Sequence, residues 1–221
     1  MINNTVIIVA GGIGSRMESS IPKQFLLLKG KPVLMHTIEK FIAFDASLDI
    51  IVTLPENQTQ TWANLCEQYN FEHKHTVVVG GHTRFQSVYN ALGNVSENCK
   101  IIAVHDGVRP LINVETIKKC FDLAQEQGSA VPILQINESI RRIDENASEP
   151  VNRDGIYIVQ TPQIFQKNII MQAYNQTYVP EFTDDASVVE KSGIKVKFIA
   201  GHRENIKITF PDDIVFAEKF L

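Results

Sequence analysis

Residues 5–10 (TVIIVA) are a continuous apolar, β-branched run that breaks directly into Gly11 and Gly12. A run of this kind reads as a strand buried on both faces, which belongs in the interior of a parallel sheet. Parallel strands need long crossovers, usually helices, and the sequence supplies them. Pro32 opens a helical pattern to about Phe44. Residues 49–54 (DIIVTL) read as a second strand, and 57–69 as a helix. A third strand spans 75–79 and ends at Gly80 and Gly81; a helix follows over 83–92. Residues 100–105 (KIIAVH) form a fourth strand. Asn113 suits the N-cap of a helix ending near Gly128, and 129–134 form a fifth strand. Four successive strand–helix units predict an α/β chain: a Rossmann-like, mostly parallel sheet with helices on both faces.

The pattern changes after residue 134. Within 135–159, two alternating stretches at 139–143 and 155–159 flank the polar run DENASEPVNRD. This predicts an inserted β-hairpin arm. An isolated hairpin is marginally stable in water, so packing against a second subunit, and hence a homodimer, is expected. Residues 166–178 and 184–192 then read as helices, with Asp184 placed as an N-cap and Gly193 just past the end. Residues 195–200 read as a strand, and Pro211 begins a final helix. With 221 residues and no repeat, the chain is expected to be one domain, 1–221, carrying the arm at 135–159.

Composition narrows the function. A net charge of −4 argues against a nucleic-acid binder, so individual basic residues must supply any anion binding. Cys66, Cys99 and Cys120 are odd in number and far apart, which predicts reduced thiols rather than a disulfide framework or a zinc site. The N-terminal stretch has no basic leader region, and no apolar run is long enough to cross a bilayer. A soluble, cytoplasmic protein with no membrane partner is expected.

The loop after the first strand reads Ala10-Gly11-Gly12-Ile13-Gly14-Ser15-Arg16-Met17, followed by Ile21-Pro22-Lys23-Gln24. Glycines here let the backbone turn tightly and aim N–H groups at phosphate oxygens. A plain strand–turn–helix corner would also use them. A dinucleotide fold wants a third glycine near position 16, where Arg16 stands, and a P-loop wants Gly-Lys-Ser/Thr, which is absent. What remains is a glycine turn with two cations, Arg16 and Lys23. Further along stand Gly80-Gly81-His82-Thr83-Arg84-Phe85-Gln86-Ser87, then His105-Asp106-Gly107-Val108-Arg109-Pro110 at the carboxyl end of the fourth strand. Ligands bind at such ends in open α/β sheets. Ser139, Arg153 and Thr161 lie in and just after the arm, the last within VNRDGIYIVQTPQIF. Thr183-Asp184-Asp185-Ala186-Ser187 and Arg203-Glu204-Asn205-Ile206-Lys207 complete the set.

Taken in order and spacing, these segments resemble the polyol-phosphate cytidylyltransferases over the whole chain. GGxGxRM…PKQ is similar to that family's opening signature, GGxxRxxSV to its base-reading element, HDGVRP to its HDAARP, and RENIKIT to its DNIKVT. The resemblance implies a nucleotide-diphospho-sugar transferase fold and transfer of CMP from CTP to a polyol phosphate. The methylerythritol 4-phosphate acceptor is preferred, because INESIRRID supplies a hydroxyl followed by basic residues; ribitol 5-phosphate is the alternative.

Residue by residue, the resemblance implies that Arg16, Lys23, Arg153 and Lys207 carry the chemistry. Arg16 and Lys23 would face the triphosphate, and Arg153 and Lys207 would hold the attacking phosphate. CTP contacts are implied for Ala10, Gly11, Gly12, Gly14, Gly81, Ser87 and Gly107, with Arg84 buttressing the site. Asp106, Arg109, Ser139 and Thr161 would meet the acceptor. His105 reads as structural and Asp184 as a cap, while His82 receives no role. No protein-built metal site is expected; Mg²⁺ would arrive on the CTP phosphates. A nucleotide-sensing module without catalysis and an NAD-dependent oxidoreductase are the competing classes. Four cations in matching places argue against the first, and the missing glycine against the second.

Overall fold

A computed structural model of the chain describes residues 3–12, 21–145 and 147–221. Strand β1 (Asn3–Val9) lies in the middle of the principal sheet, flanked in parallel by β4 (Asp49–Leu54) and β6 (Cys99–Asp106). Strand β5 (Thr76–Val79) pairs parallel with β4. A short hairpin, β2 (Leu27–Leu28) with β3 (Lys31–Pro32), precedes the first helix.

The period-two alternation of the central strands splits the core in two. Val6 and Ile8 of β1, Ile50 and Val52 of β4, and Ala103 of β6 face one cluster. That cluster is closed by α1 (Val33–Phe44), α2 (Thr59–Gln68) and α4 (Val114–Gln127) through Leu34, Ile38, Trp62 and Phe121. Ile7, Ile51, Ile102 and Val104 point the other way, onto α3 (Arg84–Leu92), α5 (Lys167–Tyr174) and α6 (Asp185–Lys191). A strand apolar at every position is thus explained by helices on both sides. The last helix, α7 (Pro211–Glu218), starts at its proline and packs Ala217 into a third, smaller cluster with Leu28 and Val108.

Sequence reading placed β1, β4, β6, α1, α3 and α4 within a residue or two. Thr83 and Asn113 cap as expected: Thr83 Oγ1 accepts from the Gln86 amide at 3.0 Å, and Asn113 Oδ1 from the Thr116 amide at 2.7 Å. Gly128 ends α4 in the left-handed region at φ +92°.

The second half of the sheet differs from expectation. Strand β7 (Ser129–Gln135) does not pair with β6. An unforeseen strand, β11 (Gln163–Gln166), is inserted antiparallel between them. Its four residues carry two glutamines, too short and too polar to show a period. The arm is a true hairpin, but its strands are β8 (Ile140–Ile143) and β9 (Ser148–Val151). Residues 148–151 had read as part of the polar turn, because an exposed two-stranded ribbon imposes no apolar alternation on them. The stretch expected as the arm's second strand, β10 (Tyr157–Val159), extends the main sheet instead, antiparallel to β7. Strand β12 (Phe198–Ala200) also pairs with β7, in parallel.

The principal order is β10-β7-β11-β6-β1-β4-β5. The chain moves outward from β1 to β4 and β5, then returns to the other side of β1 with β6. That reversal puts the carboxyl ends of β1 and β6 side by side at a topological switch point, where open α/β sheets bind ligands.

Replacing Asn113 by Ala removes one of the amide partners at the start of α4. A loss of about 1 kcal/mol in urea unfolding is expected, with the m-value unchanged.

Candidate active site

Three strand ends build the site. Beyond β1, Ala10 takes the Thr53 carbonyl with its amide at 3.0 Å, and its own carbonyl accepts from Gln24 Nε2 at 2.9 Å. Gln24 and Lys23 sit on one turn of 3-10 helix (Lys23–Phe25), set by Pro22 at φ −55°. The Lys23 side chain lies along Gly12: its Cε is 3.7 Å from where a Cβ there would stand. The expected contacts Gly14 and Arg16 fall in 13–20, outside the described residues.

Beyond β5, the Gly81 amide donates to Ser87 Oγ at 3.1 Å, and that hydroxyl donates to the Thr83 carbonyl at 3.0 Å. A Cβ at Gly81 would overlap the Gln86 side chain, so the turn requires glycine. Together these groups line a cavity of about 280 Å³ with Gly11, Gly12, Lys23, Gly81, His82 and Ser87 among its walls.

Beyond β6, the buried Asp106 carboxylate collects three cations. Its Oδ2 is 3.0 Å from Arg109 Nε and 3.1 Å from Lys207 Nζ, and its Oδ1 is 3.7 Å from Arg84 Nε. Burial alone would push this carboxyl up, but Lys207, Arg84 and Arg109 outweigh it and hold it well below the usual carboxylate range. Arg84, Asp106 and Lys207 line the first cavity and also a second one of about 260 Å³, completed by Arg109, Thr161 and Asp184. Two cavities therefore meet at one carboxylate.

His105 lies beneath. A carbonyl only accepts, so Nε2–H donates to the Arg109 carbonyl at 3.2 Å. Nδ1 then accepts from Thr161 Oγ1 at 3.0 Å, and Thr161 Oγ1 accepts from the Asp106 amide at 3.1 Å. Burial lowers the imidazole to about 3, so it stays neutral. Its place is structural: it fixes Thr161 and, through it, the end of β6. Asn205, fully buried, draws the chain before Lys207 inward: its Nδ2 donates to the Thr161 carbonyl at 2.8 Å, and its carbonyl accepts from Arg109 Nη1 at 2.8 Å.

Of the residues expected at the site, Ala10, Gly11, Gly12, Lys23, Gly81, Ser87, Asp106, Arg109, Thr161 and Lys207 line the two cavities. Gly107 does not. Its amide is given to the Val9 carbonyl at 2.8 Å, and a Cβ would meet Ala10 and Leu34 at 3.0 and 3.1 Å, so close packing explains the glycine. Ser139 and Arg153 do not reach either cavity within one chain. Both are exposed on or beside the arm, and the Arg153 guanidinium donates to the Asn137 carbonyl. Asp184 is the N-cap of α6, accepting from the Ser187 amide at 2.9 Å, and it also accepts from Gln163 Nε2 at 2.8 Å. Sequence reading missed Asp185, which is fully buried against Arg84. The doubled aspartate was the available signal: one carboxylate can cap a helix, and its neighbour must point elsewhere.

Two cavities sharing their cations across one carboxylate suit an enzyme that joins two anionic substrates. With the sheet topology, they put this chain among the α/β nucleotidyltransferases. The family model "IspD: 2-C-methyl-D-erythritol 4-phosphate cytidylyltransferase" matches residues 4–221, and the chain belongs to that family. The 2-C-methyl-D-erythritol 4-phosphate cytidylyltransferase of Bacteroides thetaiotaomicron is 47% identical over 220 residues, covering 100% of both chains. That of Azobacteroides pseudotrichonymphae is 49% identical over 217 residues, covering 98% of this chain and 97% of its own. Among solved structures, the Francisella tularensis enzyme of that name superposes with a TM-score of 0.83 at 31% identity, covering 99% of this chain and 100% of its own.

The neutral His105 sets a pH dependence. Its folded-state value lies below the unfolded value, so its contribution to stability is complete above pH 6.5. It is lost as pH falls toward about 3, because the unfolded chain takes up the proton first. His36 and His202 are lowered too and act with the same sign. Between pH 6.5 and 5, His105 should contribute a fall of up to about 1.4 kcal/mol per pH unit, absent in His105→Gln. Nitrogen-15 spectra should show an Nε2–H imidazole that does not titrate above pH 4.

Proposed function

We propose that the first cavity takes CTP and the second takes 2-C-methyl-D-erythritol 4-phosphate, and that the chain transfers CMP between them with release of pyrophosphate. The observation that carries this reading is the junction: Lys207 and Arg84 wall both cavities around Asp106. The names of the relatives favour the methylerythritol acceptor over ribitol 5-phosphate.

The acceptor's phosphomonoester has its second pKa near 6 and is largely dianionic at pH 7. It attacks the α-phosphorus of CTP in line, without needing a general base. The obstacle is bringing two anions together, so positioning and charge must supply most of the barrier reduction. At an effective dielectric near 20, a unit charge pair about 4 Å apart is worth roughly 4 kcal/mol. Lys23, seated along Gly12, faces the triphosphate; Arg16, outside the described residues, keeps its expected role toward the same phosphates. Lys207 holds the attacking phosphate and Arg109 organises the acceptor side, where Asp106 and Thr161 accept from its hydroxyls. The amides at Gly11 and Gly12 face phosphate, while Gly81 and Ser87 shape the base end.

No group of three His, Cys, Asp or Glu side chains is assembled among the described residues, and Asp106 is already shared by three cations. Such a donor set fits a Mg²⁺ ion carried by the nucleotide rather than one caged by the protein. Asp106, whose Oδ1 is only loosely held, is the carboxylate that would contact it. When bound, the ion supplies neutralising charge at the phosphates.

Arg153 and Ser139 keep their assignment to the acceptor if they reach it from a second copy of the chain. We therefore infer a homodimer whose arms cross the subunit boundary. Exposed apolar residues on and beside the arm, including Ile143, Tyr157 and Ile158, support it. A cytoplasmic location is proposed with it; no helix among the described residues is long and apolar enough to cross a membrane.

Pyrophosphate release measured with CTP, ATP, GTP and UTP against both polyol phosphates tests the activity. The CTP and methylerythritol phosphate pair should dominate. Lys23→Ala should lose about 10²-fold in kcat, comparable to removing one pre-organised donor. Arg153→Ala should raise KM for the polyol phosphate more than for CTP. Mixing the Lys23→Ala and Arg153→Ala proteins should recover activity, since one site of the mixed dimer is then intact; no recovery would confine Arg153 to its own chain.

A further inference from the structure

Asp185 is a fully buried carboxylate at the first position of α6, and it lines neither cavity. Its Oδ2 receives Arg84 Nη2 at 2.6 Å, and its Oδ1 receives the Tyr174 hydroxyl at 2.6 Å. Burying a charge this deeply is costly unless it is paired and hydrogen-bonded, and here it is both. The surroundings hold it in place. Gln163 of β11 accepts the Ala186 amide at 2.7 Å and donates to Asp184 at 2.8 Å, pinning the start of α6 to the sheet. The Tyr174 ring stacks on Phe85 with centroids 4.7 Å apart, and Phe85 directly follows Arg84 on α3.

Arg84 thus stands between two carboxylates on unequal terms. It is tied to Asp185 at 2.6 Å but reaches Asp106 only at 3.7 Å. Arg109 and Lys207 occupy Oδ2 of Asp106 and leave Oδ1 open to whatever cation comes nearer. Without the Asp185 charge, Arg84 would be drawn fully onto Asp106, closing the junction where the two cavities meet.

We propose that Asp185, fastened by Tyr174, is a positioning residue: it holds Arg84 back from Asp106 and so keeps the passage between the nucleotide and acceptor cavities open. The inference rests on the cytidylyl-transfer reading of those cavities. The base end of the nucleotide cavity is fixed separately, by the Thr83 cap and the Ser87 hydroxyl, so loss of Asp185 should reach the acceptor side more than the base.

The test uses full-length Asp185→Asn and Tyr174→Phe. The asparagine is isosteric and can turn its amide toward Tyr174, whose hydroxyl then accepts, so the fold is retained while its neutral oxygen holds Arg84 only weakly against the charge of Asp106. Steady-state kinetics should show kcat down at least tenfold, KM for methylerythritol phosphate up at least threefold, and KM for CTP within twofold. Tyr174→Phe keeps the ring stack and should show the same pattern at a smaller amplitude. The deciding measurement is a double-mutant cycle with Asp106→Asn. With Asp106 neutral, Arg84 has nothing to collapse onto, so adding Asp185→Asn should change kcat by less than twofold further. Additive losses, or equal KM rises for both substrates, would overturn the proposal in favour of a purely structural carboxylate. Should Asp185→Asn unfold, Tyr174→Phe decides by the same cycle with Asp106→Asn. Failure of the wild-type protein to release pyrophosphate would instead strike the functional reading itself.

Discussion

The site depends on the buried carboxylate of Asp106. Arg84, Arg109 and Lys207 come from three remote parts of the chain and would repel one another if packed together in a partly desolvated pocket. A single negative charge at the end of β6 makes their assembly tolerable in the empty protein. One carboxylate against three cations still leaves the junction positive, within a chain whose net charge is −4. The cluster is therefore stable enough to form and unbalanced enough to bind anions. A second carboxylate facing the pocket would have halved that surplus. The one that is present, Asp185, lines neither cavity and is engaged by Arg84 and the Tyr174 hydroxyl.

The fold brings these charges together by a specific route. The return from β5 to β6 on the far side of β1 lays the glycine turn beside Asp106. The wedge strand β11 then carries the chain back between β6 and β7, and the residues just before it supply Thr161, whose hydroxyl links the Asp106 amide to His105. Between β10 and β11 the pairing with β7 slips by two residues, and Gln160, Thr161 and Pro162 occupy that irregular stretch. Irregular backbone is needed there because a regular strand would present alternate residues to opposite faces. Here Gln160 and Thr161 both turn to the site: Gln160 Nε2 donates to the His202 carbonyl while Thr161 engages β6. Asn205 then draws in the segment ending in Lys207.

Much of this was legible in the sequence, for physical reasons that differ by region. Strands β1, β4 and β6 are buried on both faces, so their composition alone announces them. Thr83, Asn113 and Asp184 cap helices because a short side-chain oxygen is nearly the only local partner for orphan amides. The wedge β11 and the arm strand β9 were not legible. One is a four-residue strand with a glutamine at each end; the other is exposed and polar, and both are specified by their partners rather than by their own pattern. At the site, the glycine turns and cations declared themselves as short motifs. Asp185 did not, because its role arises from a contact with Arg84 that is 101 residues distant. That Gly107 lines neither cavity was hidden for a related reason. A motif glycine beside a ligand site and one squeezed between Ala10 and Leu34 look the same in one dimension.

The arm carries the physical case for the proposed homodimer. Tyr157, Ile158 and Phe198 stand exposed around the β7, β10 and β12 corner, Ile143 stands exposed on the arm, and β10 is the outer strand of its sheet. Open apolar edges of this kind invite association, and chains that stay monomeric blunt them with charge or proline. The charges on the arm do not do that work. Arg142 is matched with Glu149 across the hairpin, and Arg141 is tied to Ser148, so they rigidify the ribbon rather than guard the sheet edge. Arg153 sits at its base, held to a carbonyl of the same segment. A stiff, charge-matched ribbon beside an unguarded apolar edge is the construction expected of an element that reaches another subunit. It gives a physical reason, under the proposed dimer, for Arg153 to lie outside the pocket of its own chain.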